Sequence, residues 1–379
     1  MGRVTPLGSE RILRGRVGDE MDGFLLARAG SVVRATGARE TFQSVHEAGI
    51  AIRTQRDAFI AGALPFDPTH PTALFRAGQV TRRSITPVQH DPIALSVVAE
   101  NPTPAEHSAR VAGAIERIRA GELEKVVLAR SIDVAANAAI DPVDFALHAA
   151  VRYPTGNVFA VDLSAAGSDH VGTTLIGASP EVLVSRRGRS VTLKPLAGST
   201  PRGTDPESDE ANAQKLLDSD KNLEEHAYVI EYLRDRLSGV CTEIDVPAGP
   251  ILASTPHVWH LATPIRATLA EPATTALDLA ALLHPTPAVG GTPTDSALEA
   301  IREIEGDRGF YAGAVGWCDA QGDGDWIVSI RCAVLSPNGF HARLYAGGGI
   351  VASSDPADEL AETTAKLRTL RGLLSFATD

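Results

Sequence analysis

The order of segments along the 379-residue chain predicts an α+β fold, a large single domain of antiparallel β-sheets packed as a sandwich with helices outside. Strand-like runs follow one another as hairpins instead of alternating regularly with helices, which argues against a doubly wound parallel sheet. The stretch "GELEKVVLARSIDV" alternates with period two, placing Val126, Leu128, Ile132 and Val134 on one side and Lys125, Val127, Ala129, Ser131 and Asp133 on the other. The 44% hydrophobic content is that of a packed soluble chain, and "VPAGPILAS" is too short and apolar for a linker, so residues 1–379 are expected to form one unit.

Residues 1–102 are predicted to form strands and hairpins of that same domain, because apolar runs such as "DGFLLARAGSVVRAT" are separated by proline-rich turns such as "PFDPTHPTALF". A helix is predicted at 104–120, where Val111, Ile115 and Ile118 recur at helical spacing and Gly121 suits the stop. It leads into the Lys125 strand, expected to be half-buried. Further strands are predicted at 156–163, 173–177, 181–186, 190–195, 311–318, 325–335 and 340–346, and helices near 207–238, 274–283, 293–304 and 356–375.

Lysine and arginine total 35 against 47 acidic residues, a net charge of −12, so nucleic acid and anionic membranes are not expected partners. A small anion can still bind where a metal or a few cations reverse the field locally. Cys241, Cys318 and Cys332 are odd in number and lack CxxC spacing, which fits a reducing cytoplasm better than a disulfide framework or a thiolate zinc site. The N-terminal "MGRVTPLGSERILRGR" builds no signal-like apolar region, and no run has the length of a membrane span.

Several residue types are candidates for chemistry. Lys125 heads an apolar strand, where it is either a snorkelling side chain or an amine carried into the space that the strand lines. Glu359, Glu362 and Lys366 fall at i, i+3 and i+7 on one helix face, which reads either as solvated charge or as a functional row. Gly347, Gly348 and Gly349 permit close backbone approach to a ligand or only a tight turn. Glu225 lies three residues after Asn222 on another helix, where it is either an exposed helix position or, with Glu362 and several waters, a ligand for Mg²⁺, a hard cation that keeps part of its hydration shell. Arg331, opposite the apolar face of "DWIVSIRCAVL", matches a carboxylate in bidentate geometry or makes a structural salt bridge. Glu181 ends a strand in "IGASPEVLV", and "LKPLAGSTPRG" supplies glycine and serine backbone donors, Gly198 and Ser199, at a turn.

In order, "KVVLAR", "GASPEVL", "PLAGSTPRG", "EEH", "HPTPAV", "DRGFYAGAVGW", "GDGDWIVSIRCA", "AGGGIVASS" and "ELAETTAKL" resemble the chorismate-utilising enzymes, whose fold is that of anthranilate synthase component I. The resemblance covers about residues 103–375. Members that add ammonia usually carry glutamine at the place of Lys125, and aminodeoxychorismate synthases place a nucleophilic lysine in "PIKGT", where this chain has Ala197 in "PLAGS". No "LLES" motif of tryptophan-inhibited members is visible. Salicylate synthases typically read "HPAVT", whereas "HPTPAV" sets Ala288 in place of their threonine, as in isochorismate synthases; Tyr311 is common to both branches. Asn222 departs from the acid common at its place, and "EIEGDRGF" is one residue shorter than the usual "ELEPFDRGF".

The resemblance implies a Mg²⁺-dependent isochorismate synthase of the siderophore-pathway type, adding water at C2 of chorismate as the C4 hydroxyl leaves. Salicylate synthase, which goes on to eliminate pyruvate, and a non-catalytic chorismate-binding relative are the alternatives. Lys125 is implied as base and Glu181 as acid, roles that need surroundings favouring a neutral amine and a protonated carboxyl. Glu225 and Glu362 are implied to hold the metal, and Gly198, Ser199, Ala288, Tyr311, Arg331, Gly347 and Lys366 the substrate. The expected protein is a cytoplasmic monomer without a glutaminase subunit.

Overall fold

The computed structural model describes residues 23–86, 91–255 and 258–376, and the part of the expected N-terminal strands that falls on 1–22 and 87–90 lies outside them. Every strand pairing is antiparallel. One ladder runs from Leu95–Asn101 through Lys125–Ala136, His341–Ile350, Cys332–Leu335, Thr174–Ser179, Asn157–Asp162, Gly23–Arg28 and Ser31–Phe42. It continues through Ala73–Ser84, Phe59–Leu64, Ala314–Asp319, Gly324–Val328, Val182–Arg187, Ser190–Lys194, Ile265–Leu269 and Cys241–Asp245. A small sheet joins Leu196–Pro201, Val258–Ala262 and Ile251–Ser254.

The period-two alternation sorts side chains between two cores. Along Gly23–Arg28, Phe24 and Leu26 enter one apolar cluster while Leu25 and Ala27 enter the other. Eight helices, counted among the described residues, pack around this ladder. Pro104–Arg119 is the helix that the spacing predicts; it starts with a capping box between Thr103 and Glu106, and Gly121 follows its end at φ +80°. The last helix, Pro356–Leu374, buries Leu367, Leu370 and Leu374, at roughly 2 kcal/mol apiece for full burial of such side chains. No helix among the described residues is long and apolar enough to cross a membrane.

The predicted antiparallel α+β class is present, with local corrections. The strand from Lys125 is buried on both faces, because neighbouring strands and helices cover it. The helix expected over 207–238 is two, Pro206–Leu217 and Asp220–Ser238, since Ser219 caps the second by accepting from the Asn222 backbone. The strand expected over 325–335 divides at Arg331, whose φ of 52° takes the backbone out of the extended region. The strand expected from 311 begins at Ala314, and the last strand extends through all three glycines to Ile350. Helices Val45–Thr54 and Pro142–Arg152 and the strands between 241 and 269 carried too few periodic apolar residues to be assigned from sequence.

Candidate active site

The Lys125 side chain is wholly buried. Register explains where it goes: Lys125 lies opposite Thr292 and Val126 opposite Gly291, while Gly349 sits opposite Val127 on the other flank. Its Nζ stands 2.9 Å from Glu225 Oε1 in an ion pair, yet the angles make no hydrogen bond, and Nζ has no hydrogen-bond partner among the described residues.

The three glycines of His341–Ile350 make room for this arrangement. A Cβ at Gly347 would lie 2.8 Å from the Tyr311 hydroxyl, one at Gly348 would lie 2.6 Å from Glu359 Oε2, and one at Gly349 would come within 2.4 Å of Glu225 Oε1. Backbone without side chains is therefore what lets two carboxylates and a phenol approach one strand. Their alternative reading as a tight turn is excluded, because all three pair within the ladder.

A cavity of about 180 Å³ opens beside them. Gly198, Ser199, Glu225, Ala288, Tyr311, Arg331, Gly347, Glu362 and Lys366 all line it, as does Glu181; Lys125 lies one layer behind, beneath Glu225 and Gly349. The turn expected at Gly198 and Ser199 is instead the paired strand Leu196–Pro201, and Gly198 takes φ +78° where that strand bulges, which tucks it against Asn222. Burial pushes the Glu181 carboxyl up to about 8, outweighing a hydrogen bond from the Leu196 backbone and the Lys125 charge, which both favour ionisation. Glu181 is thus protonated at neutral pH.

The last helix supplies the opposite wall. Lys366 Nζ lies 2.5 Å from Glu362 Oε1 and donates to the Gly347 carbonyl at 2.8 Å. Burial raises Glu362, but Lys366, a hydrogen bond from Ser199 and the Arg331 charge together hold it below the usual carboxylate range. Its side chain is still 38% exposed because it faces the open cavity. Glu359, one turn earlier, is pushed up to about 7 by burial and by the Glu362 charge, against Lys221 at 3.6 Å and a hydrogen bond from Ser354.

Arg331 makes no hydrogen bond or ion pair through its guanidinium among the described residues, and its left-handed backbone is an uncommon conformation retained at this site. Tyr311 stacks on Tyr345 at 5.0 Å between ring centroids. His260, from the small sheet, is pushed down to about 3 by burial and by the Arg331 and Lys366 charges, so its ring is neutral. The sequence reading did not single out His260, Lys221 or Tyr345; the spacing of Glu359 from Glu362 had marked that residue only as a neighbour on the same face.

Among the described residues no three His, Cys, Asp or Glu side chains converge closely enough to enclose an ion. Glu225, Glu359 and Glu362 nevertheless share the cavity, and Glu359 Oε2 is buried with no partner. A small hard cation that keeps several waters fits such a sparse oxygen set. With Glu181 protonated, Lys221, Arg331 and Lys366 match the three remaining carboxylates in number, so the cavity lacks the acidic excess of the chain as a whole. A small polycarboxylate ligand suits that balance.

A sequence profile described as chorismate binding enzyme matches residues 69–375. A Mycobacterium tuberculosis relative carrying the name MenF is 47% identical over 351 residues, spanning 92% of this chain and 94% of its own length. Isochorismate synthase DhbC of Bacillus subtilis is 44% identical over 324 residues, covering 83% of this chain and 80% of its own. The crystal structure of DhbC from Bacillus anthracis superposes with a TM-score of 0.86 at 38% identity, covering 94% of this chain and 96% of that one.

Proposed function

We propose, from the premise that this chain belongs to the chorismate-binding enzyme family, that it is an isochorismate synthase: water adds at C2 of chorismate while the C4 hydroxyl departs. The observation that carries this reading is the pairing of unlike environments, a protonated carboxyl at Glu181 lining the cavity and a buried amine at Lys125 one layer behind it, beneath Glu225 and Gly349. Lys125 takes the proton from the attacking water and Glu181 delivers one to the leaving hydroxyl; exchange with solvent then returns Lys125 to the amine and Glu181 to the acid, so protons balance over the turnover. Lys125 Nζ stands against Glu225 and not against Glu181, and Glu225 is the carboxylate that Mg²⁺ would take up, which would leave the amine free to act as base. An ammonium clamped to Glu181 would leave neither a base nor an acid.

The two carboxylates of chorismate require cations. Arg331, free of protein acceptors, matches one of them as a fork, while Lys366 and the backbone around Gly198, Ser199 and Gly347 bound the rest of the ring's polar edge. Ala288 and Tyr311 supply the ring's apolar contacts. Glu225 and Glu362 would hold Mg²⁺, with Glu359 beside them; bound there, the ion would neutralise a substrate carboxylate and favour charge developing on oxygen. In support, each carboxylate already lies at the cavity, and the lysines that pair with Glu225 and Glu362 occupy positions that a cation of higher charge can contest.

The reading is tested by chromatography after incubation with chorismate and Mg²⁺. Isochorismate alone is the expected product. Salicylate with pyruvate would assign the chain to salicylate synthase chemistry, anthranilate formed with added ammonium would overturn water addition, and binding without product would leave a non-catalytic relative. Excess EDTA should stop turnover; undiminished activity would remove the metal.

A further inference from the structure

A second chamber of about 290 Å³ adjoins the catalytic cavity and shares with it a wall made of Pro180, Leu196, His260 and Arg331. Its far side is apolar, formed by the Tyr153 ring and by Leu370 and Leu373 of the last helix, with Ala253 closing it from the small sheet. No residue that lines this chamber alone has a role in the reaction described above. Two polar groups address it nonetheless. His260, only 8% exposed, has no partner for Nε2, a vacancy that costs free energy in a folded protein unless something meets it. Arg331 carries a fork of donors that no acceptor among the described residues takes up. An apolar pocket of this size with an unpaired guanidinium and a neutral imidazole on one wall is matched to a flat ring bearing a single carboxylate.

We propose that this chamber is a second binding site, for an aromatic monocarboxylate, and that its occupant competes with substrate by drawing the Arg331 guanidinium into the chamber. The competition rests on the isochorismate synthase reading; the binding does not. Lys194 at the rim adds a second positive charge for such an anion. The neutral state of His260 keeps its ring compatible with the apolar surroundings.

Benzoate is the probe. Calorimetric titration into the intact protein should show one site with a Kd of about 1 mM or tighter, the range open to a ligand of so few atoms. Ala253→Trp, or independently Thr369→Trp, fills the chamber from residues outside the catalytic machinery and should weaken benzoate at least about tenfold while chorismate KM changes by less than about twofold. Undiminished benzoate binding in both variants would place it in the catalytic cavity and overturn the proposal, as would no binding to the wild type at ~20 mM. A crystal soaked with 3-iodobenzoate locates the probe without any substitution: iodine in the chamber supports the site, and iodine in the catalytic cavity alone sinks it. If the protein makes no isochorismate, the function proposed above fails while the titration still decides the site.

Discussion

Two buried charge pairs touch the same strand, Lys125–Ala136, and are built in opposite ways. Arg308 and Glu305 form a saturated pair: Arg308 donates to both Glu305 oxygens, to the Val127 carbonyl at 2.7 Å and to the Val289 carbonyl at 2.9 Å. Glu305 Oε1 in turn accepts from the Ala129 backbone at 2.7 Å. The short strand Gly291–Thr292 pairs only with Lys125 and Val126, so beyond it these side chains take the hydrogen bonds that a longer neighbouring strand would have offered. Lys125 and Glu225, a few residues along, form an ion pair with no hydrogen bond from Nζ, and around the same cavity Glu359 Oε2 and His260 Nε2 also go without partners. Polar capacity is spent in the first pair and held back in the second. A buried group left short of partners is costly, and it persists where a ligand, a proton or an ion completes it.

Breaking the withheld pair should cost activity, and breaking the saturated one should cost stability. The largest effect is expected from Lys125→Gln, which should lower isochorismate formation by about 10³- to 10⁴-fold, as for loss of a general base, with the melting temperature unchanged. Comparable turnover in the variant would refute the base. Arg308→Met should lower unfolding free energy by about 3–5 kcal/mol in denaturant titration, because Glu305 is then left buried and unpaired. Adding Glu305→Met should recover much of that loss; if it recovers none, hydrogen bonding to the strand matters more than charge.

Acidity distinguishes the two regions next. Glu181 binds its proton to about pH 8 in the folded chain against 4.5 as the ordinary value, so the folded state holds more protons than the unfolded one between those limits. Stability must therefore fall as pH rises through that window, and turnover must fall above about 8 as the acid is lost. Glu181→Gln should flatten the stability profile and gain about 2 kcal/mol over wild type at pH 9, measured by unfolding at both ends. The smallest effect belongs to a pair of neither kind. Arg117 and Glu303 meet at 3.0 Å with the glutamate side chain 57% exposed, and Glu303→Ala should change stability by less than about 1 kcal/mol.

What was legible in the chain follows the same division. Lys125, Glu225 and the row Glu359, Glu362 and Lys366 are legible as residues on one face of a strand or helix, because period alone gives that face; whether the face meets solvent or a cavity depends on its neighbours. The glycine run and Arg331 stood out as residue types, but what they do depends on neighbours: the glycines read equally as a turn until their pairing with Val127, Leu128 and Ala129 is known. The His260 contact with the Arg331 wall needs the small sheet to fold against the large ladder, and its strands of four to six residues carry too little periodicity to be assigned. The break at Ser219 was hidden by helix-forming residues on both sides, where a single capping hydroxyl outweighs the continuing pattern.

The run Gly347–Gly349 also limits how this molecule could be hardened against heat. Glycine within a strand gives up more chain freedom than alanine and packs nothing, so the ordinary route to a tougher ladder is to add methyl groups there. Here each methyl would press on Tyr311, Glu359 or Glu225. The glycine stretch of the ladder and the room for catalysis are one and the same, and selection for robustness has to act on other strands.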